Sequence, residues 1–130
     1  MSQSHAVVAV LDDEPRMRKA LRRLLATHGF QVEDYERADA FLAAMESHPA
    51  DCLVLDLHMP EVSGFDVLTA FAELHVNTPV VVITGHDEHG TSERVRSLGA
   101  SAYLTKPVDE SALLSAIRSA LLPDQPLPKS

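Results

Sequence analysis

The sequence predicts an α/β domain: a five-stranded parallel sheet covered by helices on both faces. Three observations carry this. Apolar runs of strand length alternate with segments of helical period along most of the chain. The runs at 6–11, 52–55 and 79–84 are apolar throughout, as strands covered on both faces are. The length of 130 residues, 45% hydrophobic and 23% charged, suits one domain around one core.

The elements follow in order. "AVVAVL" (6–11) is the first strand. Over 15–28, Met17, Leu21, Leu24, Leu25 and His28 share one stripe; Pro15 suits a first helical turn and Gly29 the stop. "QVEDYE" (31–36) alternates and reads as a more exposed strand. "ADAFLAAMES" (38–47) is a helix with Phe41, Leu42 and Met45 on one side. "CLVL" (52–55) is the third strand. "GFDVLTAFAELH" (64–75) carries Phe65, Leu68, Phe71 and Leu74 at helical spacing. "PVVVIT" (79–84) is the fourth strand, and "TSERVRSLG" (91–99) a polar helix ending on glycine. "SAYLT" (101–105) is the fifth strand. "DESALLSAIRSALL" (109–122) closes the series, with an Asp at its start and Leu113, Leu114, Ile117 and Leu121 on one face. Strand–helix alternation with right-handed crossovers makes the sheet parallel and open. Residues 1–122 form the domain. "PDQPLPKS" (123–130), with three prolines in eight residues, reads as an exposed tail or the start of a linker.

Composition narrows the function. The net charge of −8 repels phosphates, which argues against direct nucleic-acid binding and against anionic membranes. No apolar run approaches the ~20 residues needed to span a bilayer. No basic stretch precedes the first apolar run, so the N-terminus does not read as a secretory signal. The single cysteine, Cys52, has no internal partner and reads as core, so a cytoplasmic setting is expected. "RMRKALRR" (16–23) holds five of the eleven Lys and Arg, a local basic face on an acidic body.

The chemistry lies at the strand ends. In an open parallel sheet all strands point one way, and ligands collect at their carboxyl ends. There the sequence places Asp12, Asp13 and Glu14, then Asp56, then Thr84-Gly85, then Lys106-Pro107. Carboxylates gathered together repel and raise one another's pKa, and a divalent cation relieves this. Mg2+ prefers hard oxygen ligands and is often held by one or two carboxylates plus phosphate oxygens. Asp13 and Asp56 are candidate direct ligands, Asp12 a ligand directly or through water, and the backbone carbonyl of His58 a further one; Mn2+ is a substitute ion. Lys106 offers a compact positive charge, and Thr84 one hydroxyl donor, for phosphoryl oxygens. The set suits phosphoryl transfer, with Asp56 as nucleophile.

This constellation resembles the receiver domain of two-component response regulators. The resemblance spans residues 5–122 and rests on "LDDE" (11–14), "LVLDLHMPEVSGFDVL" (53–68), "VVVITG" (80–85) and "SAYLTKP" (101–107), in that order. It implies the flavodoxin-like, CheY-like (βα)5 fold with sheet order 2-1-3-4-5. It implies that a sensor histidine kinase or a histidine phosphotransfer protein donates a phosphoryl group to Asp56 with Mg2+ bound. Thr84 then moves to the phosphoryl group, Tyr103 rotates into the vacated space, and Lys106 closes the other side. The face of the fourth helix and fifth strand changes and controls a partner, an output domain or a phosphorylation-dependent homodimer. It also implies a cis Lys106–Pro107 bond and a docking role for the first helix. Val95, Leu98 and Tyr103 are candidates for a dimer or partner surface. Ser63 departs from the acidic residue common before the glycine at 64. His58 and His86 stand two residues beyond Asp56 and Thr84, positions that tune the phosphoryl lifetime in this family. "VVVITGHDEHG" is similar to FixJ-like transcriptional regulators.

Rival readings fit less well. A phosphatase of the haloacid-dehalogenase type needs a second Asp two residues after its nucleophile, where this chain has His58. A dinucleotide-binding domain needs Gly-x-Gly-x-x-Gly after the first strand, where Asp12 and Asp13 would repel a pyrophosphate. A degenerate receiver acting without phosphorylation would tolerate Asp56→Asn.

Overall fold

Five parallel strands run in the order β2-β1-β3-β4-β5, and helices cover both faces. The computed structural model describes residues 6–60 and 62–122. The strands are β1 (Val7–Leu11), β2 (Gln31–Tyr35), β3 (Cys52–Asp56), β4 (Val80–Thr84) and β5 (Ala102–Thr105). The helices are α1 (Pro15–Thr27), α2 (Ala38–Ser47), α3 (Gly64–Glu73), α4 (Thr91–Ser97) and α5 (Glu110–Leu121). This is the fold and strand order expected of a receiver domain. The proposed tail, 123–130, lies outside the described residues.

Strand alternation explains why the sheet needs two layers of helix. Successive side chains point to opposite faces. On β1, Val8 and Val10 pack with Leu21 and Leu25 of α1 and Leu113 and Ile117 of α5. Ala9 and Leu11 face the other way, toward Phe41 of α2, Val67 and Phe71 of α3 and Val95 of α4. β3 and β4 are fully buried along their length. Each such Val or Leu contributes about 1.5–3 kcal/mol through burial, so the centre of the sheet can carry costly polar groups at its ends. Cys52 is buried within β3, and its thiol is pushed up to about 12, chiefly by burial.

Several expectations need correction. His28 and Leu74 lie outside the core: His28 is exposed and Leu74 is 64% exposed. Each sits at the C-cap of its helix, where the chain turns away from the sheet. Val95 faces the core and is fully buried, so it is unavailable to a dimer or partner surface. Asp56 is the last residue of β3 and pairs in register with Ile83 of β4.

Ser63, a departure from the family pattern, has a local explanation. It is the N-cap of α3. Its hydroxyl accepts from the Asp66 backbone N–H at 3.3 Å, and the Asp66 carboxylate accepts from the Ser63 N–H at 3.1 Å. This reciprocal capping box satisfies two helix-end donors. It places Gly64 against the end of β3, where the Gly64 N–H donates to the Leu57 carbonyl at 2.7 Å.

Candidate functional site

The carboxyl ends of β1, β3, β4 and β5 gather most of the sequence-selected residues. Asp12 and Asp13 follow β1 directly, Asp56 ends β3, and Lys106 follows β5. One carboxylate oxygen each from Asp12, Asp13 and Asp56 lies within 4.8 Å of the other two. Lys106 Nζ stands 3.7 Å from Asp56 Oδ1 and 3.8 Å from Asp12 Oδ2. Those separations make ion pairs but exceed hydrogen-bond length. The Lys106–Pro107 peptide is cis.

Burial sets the electrostatics. Asp12 and Asp56 are 0% and 4% exposed. Taking a carboxylate out of water disfavours its charged form. The Asp56 carboxyl is pushed up to about 7, first by burial and next by the negative charge of Asp12, with Lys106 pulling it back. Asp12 is raised too, chiefly by burial, against the backbone N–H of Glu14, which its Oδ1 accepts at 2.9 Å. Asp12 Oδ2 is buried and, among the described residues, has no hydrogen-bond partner. An orphaned carboxylate oxygen in a cluster of three acids is a vacancy in bonding that a hard cation fits, and an all-oxygen set suits Mg2+ or Mn2+.

Asp13, Asp56 and Lys106, with Glu14, His58, Gly85 and His86, line an open cavity of about 540 Å3. Backbone turns build its walls. The His58 N–H donates to Asp56 Oδ1 at 3.4 Å, a weak contact.

Thr84 and Tyr103 stand apart from this gathering. The Thr84 side chain is fully buried. Its hydroxyl donates to the His86 carbonyl at 3.2 Å and accepts from the His86 N–H at 3.0 Å. It is thus engaged with its own loop and does not line the cavity. The Tyr103 hydroxyl donates to Asp87 Oδ1 at 2.8 Å, on the outside of the same loop. Burial and that acidic acceptor push the phenol up to about 12.

Residues 8–118 match the family of response regulator receiver domains. The chain belongs to that family. Over 121 residues this receiver is 37% identical to the response regulator protein TodT of Pseudomonas putida, covering 93% of this chain and 53% of TodT. It is 35% identical over 113 residues to the transcriptional regulatory protein FixJ of Rhizobium meliloti, covering 87% of this chain and 55% of FixJ. The crystal structure of FixJ-N superposes with a TM-score of 0.85 at 33% identity, covering 97% of this chain and 100% of that one. The receiver spans about half the length of the curated relatives it matches. Among its described residues no helix is long and apolar enough to cross a membrane.

Sequence reasoning missed one residue at the receiver's site. Arg18 belongs to the basic stretch 16–23, read as a docking face, yet its side chain is only 15% exposed. Its Nη1 donates to the Asp12 carbonyl at 2.9 Å. Its guanidinium also lies 3.4 Å from Asp34 and 3.5 Å from Glu36. Arg22 pairs with Asp34 as well. The basic face is therefore partly spent on the acidic end of β2. The available signal was "EDYE" at 33–36, acids on the neighbouring strand with no other basic run to answer them.

Proposed function

We propose that this receiver is a phosphoacceptor signalling switch, with residues 1–122 as the switching domain. The observation that carries the reading is the meeting of Asp12, Asp13 and Asp56 within 4.8 Å, beside the Lys106 ammonium 3.7 Å from Asp56. Asp56 attacks the phosphorus of a phosphohistidine on a sensor histidine kinase or phosphotransfer protein. An O–P bond forms at Asp56, the P–N bond breaks, and the donor imidazole leaves with the electron pair and takes up a proton. Mg2+, held by Asp13, Asp56 and the His58 carbonyl with Asp12 direct or through water, would neutralise charge on the transferred group. The chain performs only its own phosphoryl transfer and the later hydrolysis.

The residues outside the cavity supply the switch. Thr84 exchanges its bonds to His86 for a phosphoryl oxygen, and Lys106 pairs with another. Tyr103 leaves Asp87 and turns inward, so the α4–β5 face changes. A charge added at one point thereby biases a two-state element. That face controls a partner, an output domain or a homodimer. His58 and His86 flank the acceptor and set the lifetime of the aspartyl phosphate.

Incubation with acetyl phosphate and Mg2+, followed by intact mass, tests the reading. The expected result is a gain of one phosphoryl group in the parent and none in Asp56→Asn. Equal labelling of both, or of neither, overturns it.

A further inference from the structure

The imidazoles of His58 and His86 meet at the cavity wall. Their ring centroids are 5.8 Å apart, with the planes at 65°. One ring is set by the turn after β3 and the other by the turn after β4, which are adjacent strands. Both residues are exposed and both line the cavity that holds Asp56. Among the described residues no ring nitrogen of either is hydrogen-bonded. His28 and His48 differ, since each turns its Nδ1 to a nearby backbone carbonyl.

Imidazole nitrogen suits zinc, nickel and copper ions, whereas magnesium prefers oxygen. A metal bound at ~2.1 Å by a ring nitrogen lies roughly 3.2 Å from that ring's centroid, so two imidazoles sharing a tetrahedral ion have centroids about 5.3 Å apart. The observed 5.8 Å is within about 0.5 Å of that value, and both exposed side chains are free to turn their nitrogens toward one ion.

We propose that His58 and His86 form a two-imidazole site for a divalent transition-metal ion of the zinc and nickel class, separate from the acidic cluster. Water completes the coordination. An ion held there stands beside Asp56 in the open cavity and obstructs a phosphodonor. The site needs neither Mg2+ nor a phosphoryl group, so it stands or falls apart from the switch function.

The test titrates Zn2+ alone into the full chain by calorimetry, in excess Mg2+, for the parent, His58→Ala and His86→Ala. Losing a hydrogen-bond partner of a ligand already costs ~10–100-fold in metal affinity, so losing a ligand is expected to cost at least about tenfold. Affinity unchanged in both variants, or Zn2+ displaced by Mg2+, overturns the proposal. On the unmodified chain, Cu2+ broadening of amide NMR signals must centre on residues 58 and 86. Centring on residues 12–13, or on another histidine, also overturns it.

Discussion

Lys106 Nζ stands 3.7 Å from Asp56 Oδ1, near enough to lower the acid's pKa and too far to hydrogen-bond it. One ammonium faces two buried carboxylates, because Asp12 Oδ2 lies at 3.8 Å from the same nitrogen. A single charge so shared cannot neutralise both acids. Asp56 therefore stays raised to about 7 in the absence of a cation.

Stability should report this directly. Between the ordinary value of 3.8 and about 7, the folded protein keeps a proton on Asp56 that the unfolded chain has lost. Folding takes up a proton across that window, so this group's contribution falls as pH rises and reaches its floor above about pH 7. Asp56→Asn removes the cost of the buried charge. In metal-free buffer at pH 8 the variant should exceed the parent by about 1–2 kcal/mol, or ~3–8 °C in melting midpoint. The gap should close near pH 4 and shrink when Mg2+ is added. Thermal melts at both pH values check it; a gap independent of pH would refute the electrostatic account.

Lys106→Met removes the attraction that lowers both acids. The Asp56 carboxyl should titrate at higher pH in the variant than in the parent, followed by carboxyl 13C NMR without metal. Labelling by acetyl phosphate near pH 7 should fall, and part of the loss should return at higher pH. An unmoved titration would mean that Lys106 is screened from Asp56 by solvent.

Arg18 holds the acidic end of β1 from behind. Arg18→Met leaves the Asp12 carbonyl without its side-chain donor and Asp34 without one of its cations. A lost partner at a largely buried group costs about 1–3 kcal/mol. Urea denaturation should show that loss, and Mg2+ binding followed by amide NMR should weaken. Arg18→Lys should recover little of either, because a point charge cannot reach the carbonyl and both acids together. Full rescue by lysine would reduce Arg18 to a general surface charge.

The sheet, its order and the acidic gathering were legible because they depend on pattern. Continuous apolar strands, alternation with helices and acids at strand ends survive any detail of packing. The residues misjudged depend on where the chain turns. His28 and Leu74 keep the helical spacing but fall at C-caps, beyond the buried stripe. Val95 occupies a polar-looking helix, and its neighbours in sequence hide that it faces Val82 and the sheet. Arg18 was hidden for a different reason: its partners Asp34, on β2, and Glu36, just beyond it, are distant in sequence, and the packing of α1 beside β2 brings them close. Thr84 is placed at the right strand end, yet its bonds to His86 come from a local turn that residue type alone does not specify.

His58 and His86 border the cavity that Asp56 lines. With the acidic cluster intact, His58→Ala and His86→Ala should still accept a phosphoryl group, and the decay rate of the phosphorylated protein should change in at least one of them. Intact-mass time courses after removal of acetyl phosphate, in buffer free of transition metals, measure this. Unchanged decay in both would remove the imidazoles from phosphoryl chemistry.

Two glycines make a paired test of how closely α3 must approach β3. A Cβ at Gly64 would lie 2.8 Å from Leu57 Cα and 3.1 Å from the Asp56 carbonyl oxygen, both backbone atoms that cannot swing aside. At Gly85 the nearest atom would be Lys106 Cδ, at an ordinary 3.8 Å. Gly64→Ala must push the start of α3 away from β3, stretching the 2.7 Å bond from the Gly64 N–H to the Leu57 carbonyl. Overpacking of this kind costs about 1–3 kcal/mol, whereas Gly85→Ala should stay within about 0.5 kcal/mol. Urea denaturation of the two variants should therefore separate them clearly. Because Gly64 presses on the residue next to Asp56, its variant should also lose phosphoryl acceptance under conditions where it remains folded. Equal stability of the two would show that the end of β3 yields to α3, and that Asp56 is not held by this contact.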